Sequence, residues 1–206
     1  SSIFGSDGYA ERCQIGNSGT PARGKKILFS ILTFIFVHLN LNMITKASFK
    51  KLLEYMAFTF KNNSYSKKIN GALLQADFEN EKLIYPKGVT IEGDFTLNFS
   101  SNENFVVFEC VHRLLSLGYK PEHLTLEPKW KLGHGASGGR ADIVIRDNEE
   151  KVFAIIECKT AGKEFKDAWE LGLQYPSQLF SYAQQEGSTK CICLYASDFT
   201  DKPEFE

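Results

Sequence analysis

This chain has almost no net charge. Its 24 Lys and Arg stand against 25 Asp and Glu, a formal net charge of -1 with histidine neutral. No global basic field therefore announces a nucleic-acid partner, and any such contact has to come from a local patch. An apolar run that could span a bilayer is also missing. The stretch Ile27 to Val37 covers eleven residues, well short of the roughly 20 that a spanning helix needs. Cysteine is sparse: Cys13, Cys110, Cys158, Cys191 and Cys193 are odd in number and fit no zinc spacing. Free thiols in a reducing cytosol are expected. Cys191 and Cys193 share one face of a predicted strand and read as core thiols rather than ligands. Internal repeats, low-complexity tracts, recognition-helix motifs and zinc fingers are absent as well. What is there is 206 residues, 43% hydrophobic and 24% charged, enough for one soluble globular domain plus extensions.

Residues 1–42 read differently from the rest. A Ser- and Gly-rich leader precedes Gly24-Lys25-Lys26 and the apolar run. A basic stretch before a short apolar core resembles a signal peptide, but the leader is long and no small-residue cleavage site follows. The segment is set aside as an extension, either a buried element or sequence foreign to the natural protein, with Met43 a candidate start. From residue 43 to 206 the chain reads as one domain. Ser48 to Lys61 places Phe49, Leu52, Leu53, Met56, Ala57 and Phe60 at helical spacing, with Ser48 as its cap. Ile69 to Phe78 is expected to be a short helix, and Leu83 to Gly88 a strand entering a turn. Residues 89–101 read as irregular or as a weak strand pair. The signal strengthens from Ser101, where Ser101 or Asn102 can cap a helix running to Leu117 and Gly118 can end it. Strands are expected over His123–Leu132, over two segments joined by Asp147-Asn148-Glu149-Glu150, and over Lys190–Ala196. Helices are expected over Phe165–Leu173 and from Pro176 to Gln185. Helix, strand, strand, strand, helix, strand predicts an α/β core over about residues 102–200, a mixed central sheet flanked by helices.

Within that core, charges fall where they are costly. Gly138-Gly139-Arg140-Ala141-Asp142 leads into Ile143-Val144-Ile145, and Val152 to Ile156 ends in Glu157-Cys158-Lys159. Charged groups at the ends of apolar strands need a metal or one another. Residues two apart in a strand share a face, so Glu157 and Lys159 point the same way. A hairpin can bring Asp142 beside them. Two carboxylates in one small space repel unless a cation lies between them. Mg²⁺ accepts a carboxylate pair plus waters and phosphate oxygens, and it activates both a phosphate and a bound water. Lys159 can orient that water or neutralise charge developing on phosphate. The pattern therefore suits metal-dependent cleavage of a phosphodiester. The plainer reading is a surface salt bridge between the acid and the lysine, and spacing alone does not separate the two.

Gly-Gly-Arg-Ala-Asp-Ile-Val-Ile followed by Ile-Ile-Glu-Cys-Lys resembles the PD-(D/E)xK nuclease superfamily, with Asp142, Glu157 and Lys159 at its three motif positions. Ala141 stands where the family usually has proline. Downstream, Gln178 and Tyr182 match the Gln-x-x-x-Tyr motif of the RecB-like branch, and on a helix they share a face. The likeness covers about residues 50–200 and extends to the N-terminal nuclease domain of restriction-modification enzymes, either type I (HsdR-like) or fused nuclease–methyltransferases. It implies a restriction-endonuclease-like core and Mg²⁺ held by Asp142, Glu157 and the backbone carbonyl of Cys158. It also implies catalytic roles for Asp142, Glu157, Lys159, Gln178 and Tyr182. An acidic residue of the preceding helix often assists. Of Glu103 and Glu109, the latter is preferred for its apolar neighbours, as a further metal ligand.

The implied substrate is double-stranded DNA and the implied setting cytoplasmic, beside methyltransferase, specificity and motor modules. No Walker or methyltransferase motif is present, so ATP and S-adenosylmethionine would belong to other parts of a larger enzyme. Lys129, Lys131, Arg140, Lys159, Lys163 and Lys166 supply a local basic patch. His134 reads as loop. Two alternatives stay open: a repair or recombination nuclease of the RecB-like kind, and a non-catalytic DNA-binding module that retains the fold.

Overall fold

The computed structural model describes residues 43–129, 140–174 and 187–199. They form a mixed α/β structure of two sheets and three helices. Helix α1 (Lys46–Tyr55) starts at Thr45, whose hydroxyl accepts the Ser48 N–H while Ser48 returns a contact to the Thr45 N–H. Ser48 is thus the third helical residue of a capping box, not the cap itself. The helix stops short of Lys61 because Ala57 takes a left-handed φ of 59°. Thr59–Lys61 is a strand instead.

Four strands follow in an antiparallel meander: β1 (Thr59–Lys61), β2 (Ser64–Ile69), β3 (Ala72–Asp77) and β4 (Lys82–Ile84). The helix expected over Ile69–Phe78 is therefore a hairpin. Asn70 and Gly71 have φ of 49° and 90°, two left-handed residues in a row, the backbone a tight two-residue hairpin loop requires. Asn62 and Asn63 do the same between β1 and β2, with φ of 49° and 54°.

The second sheet has the order β5 (Thr90–Ile91), β6 (Leu124–Leu126), β7 (Ile143–Arg146), β8 (Val152–Cys158) and β9 (Cys191–Tyr195). Its two outer pairings are parallel and its two inner ones antiparallel. The succession expected from residue 102 is found among the described residues, with the helix expected over 176–185 lying outside them, and β5 begins the sheet upstream of it. β6 is shorter than expected because Glu127 turns left-handed, with φ of 51°.

Helix α2 (Asn102–Ser116), capped by Ser101, touches α1, β2 of the meander and β8 of the mixed sheet. A helix covered by both sheets needs apolar residues on most sides, and Phe105, Val106, Val107, Phe108, Cys110, Val111, Leu114 and Leu115 are all buried. Phe49 of α1 stacks on Phe105 with ring centroids 4.4 Å apart and meets Phe108 edge-on at 5.6 Å. One contiguous core results. Helix α3 (Lys163–Gln174) packs near β9. Cys110, Cys158 and Cys193 are buried free thiols, as expected, and Cys191 is buried too; Cys13 lies outside the described residues. Among those residues no helix is long and apolar enough to cross a membrane.

Candidate active site

The β7–β8 hairpin does the positioning. Ile143 pairs with Ile156 and Val144 with Ile155. One step further the same register sets Asp142 across from Glu157. Directly opposed residues of an antiparallel pair lie on one face, with Cβ atoms about 5 Å apart. The alternating residues Ala154, Ile156 and Cys158 join the core, so Glu157 and Lys159 emerge on the other face as β8 ends. The Cys158 N–H donates to Asp142 Oδ2 at 2.7 Å, which ties the end of β8 to the start of β7.

Lys159 is held by three acceptors. Its Nζ donates to Glu157 Oε1 at 2.9 Å, to the Cys158 carbonyl at 2.9 Å and to Glu103 Oε2 at 3.1 Å. Glu103 lies in the first turn of α2, where the positive end of the helix dipole favours a carboxylate. Burial, which lowers the Lys159 pKa, is outweighed by Glu157, Glu103 and Asp142, so the ammonium is strengthened overall.

Asp142 feels the Lys159 charge but accepts no hydrogen bond from it. Among the described residues no ion pair reaches it. Burial and the neighbouring Glu157 charge push its carboxyl up to about 8, against the Cys158 N–H and the Lys159 charge, which lower it. Glu157 is also raised, chiefly by burial, with Lys159 opposing. Glu103, Glu127, Asp142 and Glu157 make four carboxyls against the two bases Lys159 and Arg140. A divalent cation would balance that difference. Among the described residues no group of three or more His, Cys, Asp or Glu side chains could hold an ion. The donors on offer are two carboxylates and the Cys158 carbonyl. That set fits Mg²⁺, which keeps waters and substrate oxygens as its other ligands.

Glu109 is placed elsewhere. Six residues beyond Glu103, it is turned about 240° around the helix. It is buried beneath the sheet, accepting the Tyr195 hydroxyl and facing Arg113 at 3.4 Å. Its apolar neighbours mark a core carboxylate already neutralised by Arg113, and the acid that α2 brings to the site is Glu103. Gln178, Tyr182, Lys131 and His134 lie outside the described residues. Of the basic residues, Arg140 bridges to Lys129 at the start of β7, and Lys163 pairs with Asp167 along exposed α3.

Glu127, which the sequence reading passed over, sits directly beyond the β6–β7 ladder, its N–H donating to the Asp142 carbonyl at 2.9 Å. Its signal was the one that singled out Glu157: an acid at the end of the apolar strand Leu124-Thr125-Leu126. The chain matches no protein-family model, and no curated protein matches it.

Proposed function

We propose that this chain is a metal-dependent nuclease domain with a restriction-endonuclease-like core, cutting double-stranded DNA as part of a restriction-modification enzyme. The observation that carries the reading is the Asp142–Glu157 pair, two carboxyls set opposite each other across a hairpin with a lysine hydrogen-bonded to only one of them. A salt-bridge reading accounts for Glu157 and Lys159. It leaves Asp142 half-buried beside a second acid, with the Lys159 charge felt but bonded elsewhere, and such a group is costly to charge.

Asp142, Glu157 and the Cys158 carbonyl would hold Mg²⁺. An ion held there would supply Lewis-acid polarisation of a phosphate oxygen and would lower the pKa of a water. Lys159 brings a fixed positive charge to the same face, where it can meet negative charge building on the phosphate. Glu103 and Glu157 keep its long side chain from swinging away.

Plasmid cleavage in Mg²⁺ tests the assignment. Asp142→Ala and Lys159→Ala should each lower the cutting rate by roughly 100-fold or more, the scale of losing one preorganised charge-stabilising group. Cutting by both variants at the wild-type rate would exclude the proposed site.

A further inference from the structure

Glu127 is 1% exposed, and nothing in the cleavage chemistry above uses it. Its backbone is left-handed, with φ of 51°, a strained state for a residue with a side chain and one that persists only when its surroundings impose it. The surroundings are specific. Oε1 accepts the Thr96 N–H at 2.5 Å, and Oε2 accepts Arg140 Nη1 at 3.2 Å. Residue 93 is glycine, and a Cβ there would stand 2.0 Å from Glu127 Oε2. The carboxylate is therefore built into this place.

Its partner is only part-buried. The Arg140 side chain is 36% exposed, and its guanidinium carbon lies 4.0 Å from the centroid of the Phe95 ring. The turn carrying Phe95 is fixed in turn. Asn104, next to Glu103 on α2, donates to the Phe95 carbonyl at 2.7 Å and to the Asn98 carbonyl at 3.0 Å. Arg140 stands two residues before Asp142, whose carbonyl accepts the Glu127 N–H at 2.9 Å, and the Arg140 charge is felt by Glu157.

A guanidinium has five N–H donors in a rigid plane. Here one ring covers a face and one carboxylate holds an edge, which fixes the plane's direction while leaving part of the group open to solvent. A tether for the Phe95 turn needs no such exposure, since Thr96 already ties that turn to Glu127. A weakly hydrated, oriented fork beside a carboxylate pair suits one ligand class above others, the phosphate of a nucleic-acid backbone. We infer that Arg140 is a phosphate-binding residue at the edge of the Asp142–Glu157 site, and that Glu127 is the positioning residue that aims it. The inference rests on the nuclease reading and adds a substrate contact to it.

Binding of a short DNA duplex to the full 206-residue chain tests this. Fluorescence anisotropy is read across a salt series in Ca²⁺, which takes the same oxygen donors as Mg²⁺, with thermal unfolding measured alongside. Arg140→Ala should weaken binding roughly tenfold, the worth of one charge-assisted hydrogen bond, on any duplex sequence. The slope of log affinity against log salt should fall in magnitude by about 0.9, one phosphate's share. Arg140→Lys keeps the charge without the fork, and should keep the slope while losing several-fold in affinity. Glu127→Gln should weaken binding in the wild-type background and add nothing to Arg140→Ala, the mark of one residue acting through another. Wild-type affinity and slope in Arg140→Ala, with the wild type binding DNA, would overturn the inference and leave the nuclease reading standing. A lowered melting temperature with an unchanged slope would make the pair a structural tether and overturn it too. Failure of the wild type to bind DNA would sink both.

Discussion

At the scale of the residue, the described site turns on Asp142, whose carboxyl is raised by burial and by Glu157 more than Lys159 and the Cys158 N–H lower it. Asp142 was legible as a charge at the start of an apolar strand, and Glu157 and Lys159 as a same-face pair. Their mutual register followed from hairpin geometry. The roles of Glu103 and Glu109 were not legible, because which side of a buried helix meets a sheet and which meets a site depends on packing that no local pattern encodes. Two titrations give the protein a stability profile with a definite sign. Asp142 is raised from its usual 3.8 to about 8, so the folded state binds this proton more tightly than the unfolded chain. Its contribution is complete at low pH and is lost as pH climbs toward 8. His112 runs the other way. Burial and nearby Lys67 lower it from 6.5 to about 4, so its contribution is present above 6.5 and fades as pH falls toward 4. The two slopes oppose one another below 6.5, and between 6.5 and 8 only the Asp142 slope remains of the two. Melting temperature in the absence of divalent ions should therefore fall by several degrees from pH 6.5 to 8. Asp142→Asn should flatten that decline. A melting temperature that rises across the same window, or a decline that Asp142→Asn leaves intact, would contradict the assignment.

At the scale of the element, strong periodicity read correctly and turn chemistry was underweighted. α2 emerged from its cap, its apolar spacing and Gly118, and the β7–β8 hairpin from two apolar runs around a polar turn. The helices expected over 48–61 and 69–78 failed in part or wholly, because apolar residues at mixed spacing fit either period over so short a span. Asn62-Asn63 and Asn70-Gly71 were the deciding signals, residues that tolerate the left-handed backbone a two-residue hairpin loop demands. Asn70 also closes α2, donating from its side chain to the Leu115 carbonyl at 2.9 Å. Its place there rests on a contact 45 positions away, which no short window contains. The start of α2 carries a comparable load through Asn104, 6% exposed and bonded to two carbonyls of the 95–98 turn. Asn104→Ala should cost about 1–3 kcal/mol, the penalty of leaving buried acceptors unpaired, measured by urea unfolding. A loss below about 0.5 kcal/mol would mean that the turn holds itself, as surface substitutions do.

At the scale of the whole molecule, an aromatic cluster joins α1, α2 and the meander within the same core that the mixed sheet lines. Phe49 meets Phe78, Phe99, Phe105 and Phe108 with centroids between 4.4 and 6.0 Å. Phe49→Ala should destabilise by about 3–5 kcal/mol and keep a single urea transition in which both sheets unfold together. Two separate transitions in the wild type would divide the molecule where the cluster joins it. The order of elements from α2 onward was legible because each was long or strongly patterned. The packing of the meander against α2 was not, since it rests on contacts far apart in sequence.

Calorimetric titration of Mg²⁺ or Mn²⁺ near pH 7 tests the proposal that Asp142 and Glu157 together hold a divalent cation. The wild type should bind one ion and release protons as it does so, because metal displaces the proton that the raised Asp142 carboxyl retains below about 8. Comparison of buffers with different ionisation enthalpies reads out that release. Asp142→Asn and Glu157→Gln should each abolish the binding and the proton release. A wild-type chain that takes up no ion, or variants that take it up with unchanged affinity, would contradict the account.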